Sequence, residues 1–213
     1  MTFIQINMIT ILMPIYNGIE FIEESVSSIK EQTVTEWELI IGVNGHPKGS
    51  TIFQKANMYA SDKIHVLDMD NVKGKSMALN EMLHHAKYNW ICLLDVDDKW
   101  VHTKLESQLP YMQQFDVIGT LCQYFGDSKD IPRIPTGDIS AFPFDRVNPV
   151  INSSCLVKKE LCYWETDANV RGIEDYDMWL RLWRRKCKVF NVNSVQVYHR
   201  IHQASAFNAQ GNH

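Results

Sequence analysis

The chain has 213 residues, room for one large domain or two small ones, and its 45% hydrophobic content can build a sizeable core, which excludes disorder. A formal net charge of −4 gives no basic face and so argues against nucleic acid as a partner. Five cysteines (Cys92, Cys122, Cys155, Cys162 and Cys187) are scattered and never form a C-x-x-C pair. That usage points to reduced, buried thiols in a cytoplasmic protein rather than a disulfide frame or a zinc site.

The N-terminus lacks a basic segment followed by an apolar stretch and a cleavage site, so no signal peptide is read. No apolar run approaches the ~20 residues of a membrane span. The sequon Asn152-Ser153-Ser154 is accordingly expected to go unused. With no linker in view, residues 1–213 are taken as one domain, with a ligand-binding half of about 1–100 and a second half of about 101–213.

Met8 to Met13 is a nearly continuous apolar run suited to a strand buried on both faces, and Pro14 and Asn17-Gly18 punctuate the turn after it. From Ile19 the period changes. Ile22, Val26 and Ile29 recur at helical spacing, with Glu20, Glu23 and Glu24 in the first turns, where the helix dipole favours acids. Trp37 to Val43 is a second buried strand ending at Asn44-Gly45, and a polar, weakly helical stretch to Ser61 leads to a short strand, Ile64 to Leu67. Lys73-Gly74-Lys75 opens another helix with Met77, Ala78, Met82 and Leu83 assigned to its inner side, and Trp90 to Leu94 is the next strand. Strand and helix in alternation predict an α/β domain with a central, mainly parallel sheet flanked by helices. Ligands of such sheets bind outside the carboxyl ends of the strands.

The second half is less regular. Ile131 to Pro149 holds four of the seven prolines and reads as loop or edge structure. Gly172-Ile173-Glu174-Asp175 opens a strong helix whose apolar face carries Met178, Trp179, Leu182 and Trp183, with acids in its first turn and arginines in its last. Val189 to Val192 and Val195 to Tyr198 are predicted as two closing strands.

Three features carry chemistry. The strand ICLL runs straight into DVDDKW, placing Asp95, Asp97 and Asp98 at the mouth of the core. Left alone these carboxylates raise one another's pKa, so a cation is expected among them. Their oxygens are hard ligands suited to Mg²⁺ or Mn²⁺, and the plainer alternative is a solvated acidic turn. The second is Glu174-Asp175, an acid pair that is either a site for proton abstraction or an ordinary acidic first turn. The third is Arg200-Ile201-His202-Gln203-Ala204-Ser205, in which His202 could complete a metal sphere, His199 could serve instead, and a lone histidine near a C-terminus is often inert.

Together the stretches ITILMPIYNGIEFIEESVSSIKEQT, WELIIGVNG, GKSMALNEML, LLDVDDKW, GIEDYDMWLRL and RIHQAS resemble, in order, the family 2 glycosyltransferases, inverting enzymes of the GT-A fold. More narrowly the chain resembles the N-terminal domain of chlorella-virus-type glycosyltransferases that build capsid glycans, which would place it in a host cytoplasm. The resemblance implies a single Rossmann-like GT-A domain, a nucleotide-sugar donor, and an oligosaccharide or glycoprotein acceptor. It implies a divalent metal, Mn²⁺ or Mg²⁺, bridging the donor diphosphate, and Asp175 as the base with Glu174 beside it. By position Asp97 and Asp98 fall to metal and ribose, with Asp95 orienting them, and the resemblance adds His202 to the metal residues. The nucleotide falls to Pro14, Tyr16, Asn17, Asn44, Lys75, Asp95, Asp97 and Arg200, of which Lys75 and Arg200 are read against the phosphates.

Two points depart from the family pattern or stay open. Asn44 stands where the family usually shows an acid, and an amide matches the paired donor and acceptor of uracil better than the two donors of guanine, which favours UDP. Tyr16 either stacks on the base or packs in the core, and Lys73 and Lys75 either reach the diphosphate or stand by as surface lysines. A hexose or a 6-deoxyhexose is the expected sugar. A nucleotidyltransferase would need a Gly-rich basic loop after the first strand, absent from Met13-Pro14-Ile15-Tyr16-Asn17, and a catalytically silent sugar- or nucleotide-binding domain would have no need of the acids.

Overall fold

The computed structural model describes residues 8–202. The first strand, β1 (Ile9–Ile15), is buried along almost its whole length because it lies between two parallel neighbours. Truncating such a side chain (Ile11 or Leu12, both fully buried) to alanine removes about 2–5 kcal/mol. A left-handed turn at Gly18, φ 81°, leads to α1 (Ile22–Lys30). A Cβ there would meet Val96 Cγ1 at 3.0 Å, so the turn needs glycine for space as well as for φ.

There follow β2 (Trp37–Asn44), α2 (Thr51–Asn57), β3 (Ile64–Met69), α3 (Lys75–His85) and β4 (Trp90–Leu93). The polar, weakly helical stretch before β3 forms α2, and Ser50 caps it by accepting a hydrogen bond from Phe53 N at 3.1 Å. These strands pair in parallel in the order β3-β2-β1-β4. On α3 the buried residues are Ala78, Leu79 and Met82, while Met77 is 47% exposed. The assignment of Met77 to the inner face is therefore corrected. One residue is about 100° of helix, enough to turn it outward once Leu79 takes the inner position.

The second half is more regular than its sequence suggests. β5 (Lys99–Trp100), α4 (Lys104–Gln108), β6 (Val117–Gly126), β7 (Gly137–Asp138), β8 (Leu156–Lys158), α5 (Glu174–Arg184) and β9 (Val189–Ile201) continue one sheet in the order β4-β8-β6-β9-β5, with β7 on β9. The two predicted closing strands are a single strand, β9. Its pairing with β6 shifts register around Leu121, and that irregularity breaks the apolar alternation at Asn193-Ser194. The proline-rich stretch holds β7 and buries Ile139 and Phe144 against the core. The result is a mixed α/β fold of the GT-A type whose half 8–100 is the expected alternating unit. No helix among the described residues is long and apolar enough to cross a membrane.

Candidate active site

The carboxyl ends of β1, β2 and β4 open on a cavity of about 700 Å³, within the range of small-molecule and cofactor sites. Pro14, Tyr16, Asn17 and Asn44 line one end. Asn44 is buried at the last position of β2, and Tyr16 is 58% exposed with its ring 5.2 Å from that of His46, so Tyr16 is not a core residue. Lys75, Asp95, Asp97, His199 and His202 line the other end.

The three aspartates meet different partners. Asp95 Oδ1 lies 2.9 Å from Lys75 Nζ, and its Oδ2 accepts from Asn152 Nδ2 at 3.0 Å. Burial would raise its pKa, but Lys75 and Asn152 outweigh that and lower it. Asp98 is buried, and both its oxygens are engaged. Oδ2 accepts from Ser153 Oγ at 2.5 Å and sits 2.9 Å from His199 Nδ1, while Oδ1 accepts from Arg200 N at 2.9 Å. Burial pulls the His199 pKa down; Asp98, with Asp95 and Asp97, overcomes it and holds the imidazole at about 9. Asp97 is the exception. Its Oδ2 lies 3.1 Å from His202 Nε2, and burial together with the charges of Asp98 and Asp95 raises its pKa.

The expected negative cluster therefore carries much of its own counter-charge: Lys75 offsets Asp95 and His199 offsets Asp98, while Asp97 at the cavity meets the His202 imidazole. Asp98, expected at the metal, has both carboxylate oxygens engaged within the protein, and Arg200, expected at the diphosphate, also has partners within the protein. Its guanidinium lies 4.3 Å from the Phe21 ring and 4.2 Å from the Phe125 ring, donates to Glu24 Oε1 at 2.8 Å, and holds the Asp97 carbonyl through Nε at 2.9 Å. Arg200 thus anchors the loop bearing Asp97. Gln203, Ala204 and Ser205 lie outside the described residues.

Among the described residues no group of three or more His, Cys, Asp or Glu gathers as a metal site. Asp97 and His202 nonetheless fit a divalent ion that takes its remaining ligands from substrate oxygens, since a carboxylate oxygen and an imidazole nitrogen lie 3.1 Å apart on the cavity wall.

Asp175, in the first turn of α5, reaches the same place from the second half. Its Oδ2 lies 3.2 Å from Lys75 Nζ, and its Oδ1 is buried without a hydrogen-bond partner. Burial, then Asp95 and Glu174, raise its pKa against the pull of Lys75, so the protein itself keeps this carboxylate basic despite the helix N-terminus. Glu174 faces a smaller cavity, of about 120 Å³, on the other side of Lys75.

Sequence reasoning missed the supports. Ser25 on α1 lies 2.5 Å and 2.6 Å from the carbonyl oxygens of Val96 and Asp98, and Ser28 Oγ accepts from Trp100 N at 3.1 Å. Asn152 and Ser153, seen only as a sequon, hold Asp95 and Asp98; Ser153 and Ser154 are fully buried. A run of small polar residues on a helix's apolar side (Ser25, Ser28) was the available signal.

This fold, with acids at the strand ends and a carboxylate delivered by a later helix, is the framework of a glycosyltransferase. Residues 10–165 match the family model described as glycosyl transferase family 2, and the chain belongs to that family. It is 27% identical over 205 residues to the Escherichia coli protein WfaP, named as a UDP-Glc:alpha-D-GlcNAc-diphosphoundecaprenol beta-1,3-glucosyltransferase, covering 93% of this chain and 79% of that one. Among solved structures it is similar to S. aureus TarS in complex with UDP-GlcNAc (TM-score 0.71, 15% identity, 95% of this chain and 61% of that one). It is equally similar to the mannosyltransferase PcManGT from Pyrobaculum calidifontis with GDP-Man and Mn²⁺ (TM-score 0.71, 16% identity, 95% and 59%). The chain spans about three fifths of the length of those solved chains.

Proposed function

We propose that the chain is the donor-binding and catalytic domain of an inverting transferase. It moves a hexose or 6-deoxyhexose from a UDP-sugar to a hydroxyl of an oligosaccharide or glycoprotein acceptor. The observation that carries this reading is that one ammonium, Lys75, touches both Asp95 at the donor cavity and Asp175 at the head of α5. Donor end and base are thereby within one side chain of each other.

In this reading the base and ribose lie along Pro14, Tyr16, Asn17 and Asn44, with the Asn44 amide on uracil. Asp97 and His202 would hold Mg²⁺ or Mn²⁺ against the diphosphate, an ion that offsets charge developing on the leaving group. Asp175 accepts the proton of the acceptor hydroxyl, on the face opposite the departing diphosphate, which is what inversion demands. Asp98 and Arg200 orient Asp97 and His199 rather than touching substrate. The UDP-GlcNAc bound by TarS, the Mn²⁺ beside GDP-Man in PcManGT and the UDP-Glc in the name of WfaP support a metal-assisted nucleotide-sugar reaction. The relatives named above are bacterial and archaeal, so the reading rests on the family and not on the narrower virus-type likeness.

The test is incubation with a panel of radiolabelled nucleotide sugars in Mn²⁺ and in EDTA, with transfer or hydrolysis as the readout. Metal-dependent turnover of a UDP-sugar is expected. Binding of nucleotide without any turnover across the panel would leave a silent binding domain.

A further inference from the structure

Lys75 forms part of the wall of both the large cavity and the smaller one that Glu174 faces. Its ammonium lies 2.9 Å from Asp95 Oδ1 and 3.2 Å from Asp175 Oδ2. The two carboxylates come from the loop after β4 and the first turn of α5, so only the fold brings them to one cation. Asp175 Oδ1 is left buried and without a partner. An ionised oxygen in that state is costly unless a nearby cation compensates it, and among the described residues Lys75 is the cation in contact with that carboxylate.

We propose that Lys75 is a positioning residue for the base: by occupying Oδ2 of Asp175 it fixes the orientation of the carboxylate, and by holding Asp95 it ties the base to the donor end. The inference rests on the reading of Asp175 as the base. The charged groups facing Asp175 are Lys75 from α3, Asp95 from the loop after β4, and Glu174 beside it on α5. Burial and the two acids act upward on its carboxyl, and Lys75 acts downward. Removing the ammonium leaves the upward influences unopposed. A lysine that served only the diphosphate would change donor affinity and leave the carboxyl alone.

The experiment uses the full chain with ¹³C-carboxyl-labelled aspartate, in wild type, Lys75→Met, Lys75→Gln and Lys75→Arg, with Asp175→Asn to assign the Asp175 signal by its disappearance. The Asp175 titration midpoint should rise by about one pH unit or more in Lys75→Met and stay close to wild type in Lys75→Arg. Hydrolysis of UDP-glucose and UDP-N-acetylglucosamine should lose kcat in Lys75→Met more at pH 6 than at pH 8. Lys75→Gln gives the same comparison without charge if thermal melting shows that Lys75→Met is poorly folded. An unmoved midpoint in the uncharged variants, or a loss confined to UDP affinity, overturns the role of Lys75. Full hydrolysis by Asp175→Asn overturns the base itself and the inference with it, whereas an inactive Asp175→Asn beside an unmoved midpoint overturns the role of Lys75 alone.

Discussion

His199 Nδ1 and Asp98 Oδ2 lie 2.9 Å apart, although 101 residues separate them in the chain. The contact joins the end of the parallel half to β9 and fixes the ring from the protein side. Because the imidazole is held at about 9, above its ordinary value of roughly 6.5, the folded state binds that proton more tightly than the unfolded one. The stabilisation is fully present below about pH 6.5 and disappears as pH rises through about 9. In EDTA the urea midpoint of the wild type should fall between pH 7 and pH 9.5, and that of His199→Gln should fall less. Parallel curves for the two proteins would show that the contact adds nothing to stability.

Asp98→Asn should cost about 3 kcal/mol, since the carboxylate that outweighs the burial of His199 is removed, the imidazole gives up its proton at neutral pH and the buried charge pair is lost. Denaturant unfolding measures it. A loss of nucleotide binding with stability intact would instead place Asp98 at the ligand.

Asp97 faces the cavity together with His202, whose Nε2 lies 3.1 Å from its carboxylate. Asp97→Ala should weaken UDP binding about ten-fold or more in Mn²⁺ and much less in EDTA, as read by calorimetry. Equal UDP affinity in both buffers, for both proteins, removes the metal from the mechanism.

Base selectivity follows from Asn44. UDP should bind more tightly than GDP by about one hydrogen bond, ~1 kcal/mol or roughly five-fold, and Asn44→Asp should narrow the difference. Tighter binding of GDP by the wild type would refute the match between amide and uracil.

Asp175→Asn keeps size and polarity but cannot take a proton. The loss should appear in kcat, by roughly 10²–10⁴-fold, with UDP affinity nearly unchanged. Transfer at the wild-type rate would move the search for the base to Glu174 and Asp177, the other acids of the same turn. Loss of folding in this variant would make Asp175 a structural cap.

The alternating half was legible because its signals are local. The apolar run of β1, the helical spacing of Ile22, Val26 and Ile29, and the acids after β4 each declare themselves within about ten residues, and the fold keeps all three. The position of Asp175 at the head of α5 was legible for the same reason, since acids in a first turn follow the helix dipole. What each acid does was not local. Asp95, Asp97 and Asp98 look alike in sequence, and their roles diverge through Lys75, His202 and His199, which arrive from α3 and from the far end of β9. Arg200 reads as a phosphate ligand until Phe21 and Phe125 close on its guanidinium, and Asn152-Ser153 reads as a sequon until its side chains reach the aspartates. Periodicity and composition determined the strands, the helices and the existence of an acidic site. Charge compensation acts through space at about 3 Å, so only the tertiary structure decided which partner each of those acids meets.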